Sequence, residues 1–248
     1  MIDQNLFKDP QPLDRKQHQG QRFKARGTRF DRTAGMNAIF LTAIEFIDAA
    51  RDYPIVFIEA GKDADGKREV APIAVLGLAP GENLMLEPDG RWGARYVPAL
   101  LQGYPFGLAR TDADSYLVVV DTKAEALDAQ EGELLFDEQG NATPMLEERR
   151  KLLEQIETEA QRTRLVGRAL IELDLLQPMR FDATLPDGNK LTVDGFLAVD
   201  EKKFGTLPAQ KLAELHRNGM LGLLYAQQFS LRNMRLLVEK RLARRAAA

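Results

Sequence analysis

The sequence predicts an α+β fold: an antiparallel-rich mixed sheet with a long helix and C-terminal helices packed on it. Three observations carry this expectation. Short β-branched runs such as Ile55–Glu59 and Tyr116–Val120 are bounded by Gly, Pro and Asp turns. Leu146, Leu153, Ile156, Ala160, Val166, Leu170 and Leu173 recur at helical spacing over one long stretch. From Pro208 onward the chain reads as helix, punctuated by Gly219.

Taken in order, residues 1–33 are polar, with sparse and aperiodic apolar residues, and read as a flexible arm. Lys16, Arg22, Lys24, Arg26, Arg29 and Arg32 make the arm basic, as a solvated tail or as a contact for an acidic partner. The remainder, 34–248, reads as a single domain. Ile39, Ala43, Phe46, Ile47 and Ala50 fall at helical spacing, which predicts a short helix over Ala38–Arg51, stopped by Pro54. Ile55–Glu59 and Glu69–Leu78 are expected as paired strands around the Asp65-Gly66 turn. A turn at Ala79–Glu82, a short strand at Asn83–Glu87 and a turn at Pro88–Arg91 follow. Ala99–Gln102 reads as a short helix. Tyr104–Phe106 is extended, because Pro105 disfavours helix at the residue before it.

The long helix is predicted over Pro144–Leu175, capped by Thr143, with Pro144 at its first position and a kink at Gly167. Its opposite face carries Arg150, Glu154, Glu157 and Arg164. Phe181–Leu185 and Lys190–Val199 flank the turn 186–189 and form the best hairpin signal. A helix over Pro208–Asn218 and one final helix over Met220–Arg245 complete the chain. Leu224, Phe229, Leu231, Met234 and Val238 are candidates for the buried face of the last one.

Composition bounds the function. The 248 residues suffice for a proper core, and the net charge of -3 argues against a chain built to neutralise a nucleic-acid backbone. With no cysteine there is no disulfide, thiolate metal site or Cys nucleophile. No basic start leads into an apolar signal core, and no apolar run reaches bilayer length. The cytoplasm is therefore the expected location, with export of a folded protein left open. His18 and His216 lack ligand spacing, so no metal is expected, and the glycines form no phosphate loop, so no cofactor is expected. Ser115 and Ser230 lie outside a nucleophile elbow.

The most suggestive constellation is Trp92, Arg95, Tyr96, Tyr104 and Phe106. Aromatic residues and Arg dominate binding hot spots, which makes this group the candidate binding site. Large aromatics between turns also serve as packing anchors, and that reading competes. Asp89, Asp121, Asp194 and Asp200 lie near strand ends as weaker catalytic candidates, since single acids there commonly form turns.

Tyr53–Phe57, Pro72–Leu78, Gly81–Leu84, Trp92 with Tyr96–Ala99, and Tyr104–Phe106 occur in an order that resembles the SapC family. Leu134–Phe136, Gly140, Gly195-Phe196, Val199–Glu201, Leu215-His216, Gly219 and Tyr225-Ala226 extend the likeness over about Ala38–Leu237. The family takes its name from bacterial surface-layer loci. The resemblance implies a bacterial protein that assists presentation or handling of a surface or exported protein, and it supplies no catalytic residues. The expected function is a non-enzymatic protein-interaction factor with a protein or peptide partner. The alternatives are an enzyme acting on a peptide or glycan, or the recognition subunit of one, and a homo-oligomer paired through the long helix.

Overall fold

The computed structural model of the chain describes residues 2–24, 29–111, 115–128, 130–186 and 188–247. Arg26 of the basic arm and Asp187 of the hairpin turn lie outside them. In chain order the elements begin with β1 (Pro10–Pro12), β2 (Arg22–Phe23), β3 (Ala38–Phe40), α1 (Phe46–Ala49), β4 (Ile55–Lys62) and β5 (Arg68–Val75). Next come α2 (Ala99–Gly103), β6 (Phe106–Arg110), β7 (Tyr116–Asp121), β8 (Leu127–Asp128), β9 (Glu133–Leu134) and α3 (Pro144–Glu172). The chain ends with β10 (Leu176–Thr184), β11 (Lys190–Val199), α4 (Glu201–Gly205), α5 (Ala209–Arg217), α6 (Met220–Ser230) and α7 (Asn233–Ala247). The fold is α+β with antiparallel sheets. Among the described residues, no helix is long and apolar enough to cross a membrane.

The chain divides into two compact units. The first comprises Met1–Gly35, Leu86–Gly93 and Ala99–Thr158, and the second Met36–Met85, Ala94–Pro98 and Glu159–Ala248. The division differs from the expected arm followed by one domain.

The first unit holds two three-stranded sheets, ordered β1-β7-β6 and β8-β2-β9. Phe23, Phe106, Leu108, Val120, Leu135, Phe136 and Leu153 pack into one apolar core. Residues 2–24 contribute more than their polar composition suggests. Three of their apolar side chains, Leu6, Phe7 and Phe23, are buried, and β1 and β2 pair with later strands. His18 is also buried, with Nδ1 against the backbone N–H and carbonyl of Asp14 at 3.1 and 2.9 Å. Glu157 departs from the exposed face predicted for it: it is buried on α3 and accepts from the Tyr116 hydroxyl at 3.2 Å.

The second unit is built on a five-stranded sheet, ordered β10-β11-β4-β5-β3. Its fully buried side chains include Ile39, Leu41, Phe46, Tyr53, Ile55 and Phe57. The expected helix over Ala38–Arg51 is replaced by β3, a 3₁₀ turn at Ala43–Glu45 and the single-turn α1. Pairing of Ala38 with Val75 and of Phe40 with Ile73 overrides the helical spacing. The break is fixed at Thr42, whose backbone N–H and hydroxyl both donate to Glu45 Oε2, at 2.7 and 2.8 Å. Asn83–Glu87 forms no strand; an isolated bridge between Leu86 and Trp92, both in the first unit, stands there instead. The final helix is two, α6 and α7, joined through Leu231 and Arg232.

α3 runs unbroken through Gly167. The glycine answers to a close approach. A Cβ there would lie 2.8 Å from the Val70 carbonyl oxygen of β5. Alanine in a helix interior ordinarily gains about 1 kcal/mol over glycine. Gly167→Ala is expected to reverse that sign and lose about 1–2 kcal/mol through overpacking against backbone, read as a lower urea midpoint.

Candidate functional site

The structure divides the aromatic and Arg group of the sequence between the units. Trp92, Tyr104 and Phe106 belong to the first, Arg95 and Tyr96 to the second. Phe106 is 1% exposed and sits edge-on to Phe23 at 5.3 Å, a packing anchor at the head of β6. Trp92 is half-buried, its ring centroid 5.4 Å from that of Phe30. Tyr104 packs edge-on to Phe7 at 5.4 Å and donates its hydroxyl to Asp121 Oδ2 at 2.8 Å. Burial first, and then the Asp121 carboxylate, push its pKa well above the ordinary phenol value; Arg32 opposes.

In the second unit, Asp52 Oδ2 accepts from the backbone N–H groups of Arg95 and Tyr96, at 3.0 and 2.9 Å. The Tyr53 hydroxyl donates to the Tyr96 carbonyl, and the Tyr96 hydroxyl donates to Glu45 Oε1 at 2.9 Å. Burial, followed by the Glu45 charge, raises the Tyr96 pKa strongly. Both phenols are therefore protonated donors to carboxylates at neutral pH. The Arg95 side chain is exposed.

The strand-end acids mostly have structural partners. Asp121, fully buried, accepts from the N–H groups of Lys8, Asp9 and Lys123 at 3.1, 3.0 and 3.1 Å as well as from Tyr104. Burial works against its charge. The donors together outweigh burial and hold the carboxyl below its ordinary pKa. Asp200 caps α4 by accepting from the N–H groups of Lys202 and Lys203 at 2.9 and 3.1 Å. Asp89 pairs with Arg91 at 2.6 Å, and Asp194 is exposed on β11. Among the described residues, no group of three His, Cys, Asp or Glu side chains could hold a metal ion. A pocket lined by Leu6, Arg29, Phe30, Arg32, Leu101 and Tyr104 has about 10 Å³, room for roughly one water.

A different surface emerges on the second unit. α6 is apolar on nearly every side: Met220, Leu221, Leu223, Leu224, Tyr225, Ala226 and Phe229 fall within its 11 residues. Such a helix is expected to be buried all round. Its inner side does pack: Met220, Leu224, Gln227 and Ser230 are buried. Its outer side does not. Phe229, predicted from sequence as buried, is 61% exposed, and Tyr225 is 45% exposed. Their rings stack at 6.1 Å and 18°, and Tyr225 also stands edge-on to the buried Phe204 of α4 at 5.3 Å. Phe204 thus fixes the root of a short aromatic ladder that ends in solvent.

α1 packs beside α6 and adds apolar surface. Ile47 of α1 and Ile44 of the 3₁₀ turn before it are 67% and 66% exposed. Asn233 Nδ2 donates to the Ala50 carbonyl at 2.8 Å, and Ile47 and Phe229 each lie one helical turn before that bond. A mostly apolar α6 segment was the available sequence signal. It was missed because hydrophobicity alone does not say which side lacks a neighbour.

The surface presents stacked rings and β-branched side chains. Neither the curated proteins nor the solved structures provide a match to the chain. The SapC family model matches residues 13–237, beginning within the segment read as an arm and covering most of the sequence. On that match, the chain belongs to the SapC family.

Proposed function

We propose that this protein is a non-enzymatic protein-interaction factor that binds a polypeptide through the outer face of α6 and α1. The observation that carries the reading is the Phe204–Tyr225–Phe229 ladder, rooted in the core and open to solvent at its far end. Rigid, exposed aromatics supply contact area at low entropic cost and are typical binding anchors. Family membership adds context: the name points to surface-layer loci, and the polypeptide is then a surface or exported protein whose presentation or handling this chain assists. The enzyme alternative draws less support, because Asp121, Asp200, Tyr96 and Tyr104 are occupied in structural hydrogen bonds.

The test is recovery of partners from a lysate of the native host on the immobilised full chain. A partner is expected to bind the wild type and Trp92→Ala, and to be lost from Phe229→Asp and Ile47→Asp. If both aspartate variants fold and retain every partner, the proposed surface is wrong.

A further inference from the structure

The aromatic ladder does not end at Phe229. The chain passes from α6 to α7 through hydrogen bonds from Leu231 N–H to Gln228, Arg232 to Phe229, Met234 to Leu231 and Arg235 to Arg232. These are three-residue steps, and in such a turn residues three apart eclipse one another. By that spacing Phe229, Arg232 and Arg235 lie on one side, continuing Tyr225 one turn earlier. All four side chains are exposed. Among the described residues, neither Arg232 nor Arg235 has a side-chain hydrogen bond or ion pair, which contrasts with the occupied arginines further along. Arg241 faces Glu82 at 3.3 Å, and Arg244 donates to the Asn83 carbonyl at 2.6 Å.

We propose that this strip is the docking site for a peptide segment carrying an apolar anchor followed by one or two carboxylates. The inference rests on the reading of α6 as a protein-binding surface and names the partner's chemistry. Stacked rings accept an aromatic or leucine side chain. Two unengaged guanidiniums present forks that match carboxylates. Charge supports the choice. Residues 232–247 contain six Lys and Arg against the single Glu239, in a chain whose net charge is -3, so positive charge is concentrated where the ladder ends. A peptide fits better than an anionic bilayer or a nucleic acid. Those partners engage many cations over a broad surface, whereas Arg241 and Arg244 are turned onto Glu82 and Asn83, and α6 already spends its inner side in the core. Ten residues separate Tyr225 from Arg235, about 15 Å of helix, which an extended peptide spans in roughly five residues.

The experiment selects a randomised displayed-peptide library on the folded full chain, then measures the affinity of enriched peptides by fluorescence anisotropy. Enriched sequences are expected to join Asp or Glu to an aromatic or leucine residue. Their Kd should rise about tenfold or more in Phe229→Ala and in the Arg232→Glu, Arg235→Glu double variant, and should weaken with salt. Replacing the peptide's acids by lysine should restore binding to the double variant alone. The proposal is overturned if nothing is enriched, if enriched sequences lack acids, or if charge reversal leaves Kd unchanged. It is also overturned if phosphatidylserine vesicles bind with the same dependence on Phe229 and both arginines while peptides do not. The two readings separate cleanly: a host partner lost from Phe229→Asp but kept by the double arginine variant preserves the interaction factor and rejects the acidic peptide.

Discussion

Gln227→Leu is expected to destabilise the second unit by about 4 kcal/mol, because it leaves two buried backbone groups without partners. Gln227 is fully buried, and its amide is used at both ends. Nε2 donates to the Ile55 carbonyl of β4 at 3.0 Å, and Oε1 accepts from the Val199 N–H of β11 at 3.3 Å. β4 and β11 pair through a single register position, Leu197 with Phe57. The side chain thus extends the ladder where those strands have parted. Ser230 supports the same strand, accepting from the Ile55 N–H at 2.9 Å. Leucine fills most of the volume and restores neither bond. Urea denaturation should show the loss, and the Val199 amide should exchange faster with solvent in native-state hydrogen exchange. Unchanged exchange at Val199 would mean that the glutamine is a passenger.

Asp121→Asn is the second large effect, in the first unit, at about 3 kcal/mol and a melting temperature lower by about 10 °C. The acid compensates for a strand that pairs poorly by its own composition. β1 reads Pro-Gln-Pro, so two of its three residues have no N–H to give, as expected only of a sheet edge. Asp121 lies opposite Pro10 in the register and catches the N–H groups of Lys8 and Asp9, just upstream. Each of its oxygens accepts from at least one backbone N–H, so an asparagine must turn its NH₂ group toward a backbone donor. The sign of the pH effect follows from the depressed pKa. The charged form is favoured in the fold, so the stabilisation is present above the ordinary carboxylate pKa, near 4, and is lost as pH falls through the lower folded value. Asp121→Asn should remove it at neutral pH and leave an acid melting profile flatter than that of the wild type. Parallel acid profiles for the two proteins would contradict this account.

Much of the fold was legible because its signals are local. The hairpins around Asp65-Gly66 and residues 186–189 carry alternating strands and turn residues within a few positions of each other, and α3 announces itself by its stripe and its Thr143-Pro144 start. Ala38–Phe40 was misread because its partner, Ile73–Val75, lies more than thirty residues away in sequence. No Gly or Pro marks the junction at Leu231 and Arg232, so α6 and α7 read as one helix. The site was harder. Trp92 and Tyr96 are near neighbours in sequence but fall in different units, which composition cannot reveal. Phe229 has the hydrophobicity of a core residue and lacks only the neighbour that would cover it. Nothing distinguishes Gln227 from Gln228 on the page of sequence, yet the first is buried to hold two strands and the second is not.

The interleaving of the two units along the chain bears on biosynthesis. The ribosome delivers pieces of both in alternation, and the last segment of the first unit ends at Thr158, whereas the second awaits Glu159–Ala248. The first unit can therefore close while the second still lacks β10, β11 and α6. Until β11 emerges, the nascent β4–β5 hairpin has one edge unclaimed, an interval in which a holdase would have something to hold. Stop codons placed between Glu159 and Lys190 should for that reason yield insoluble chains rather than a shorter working protein.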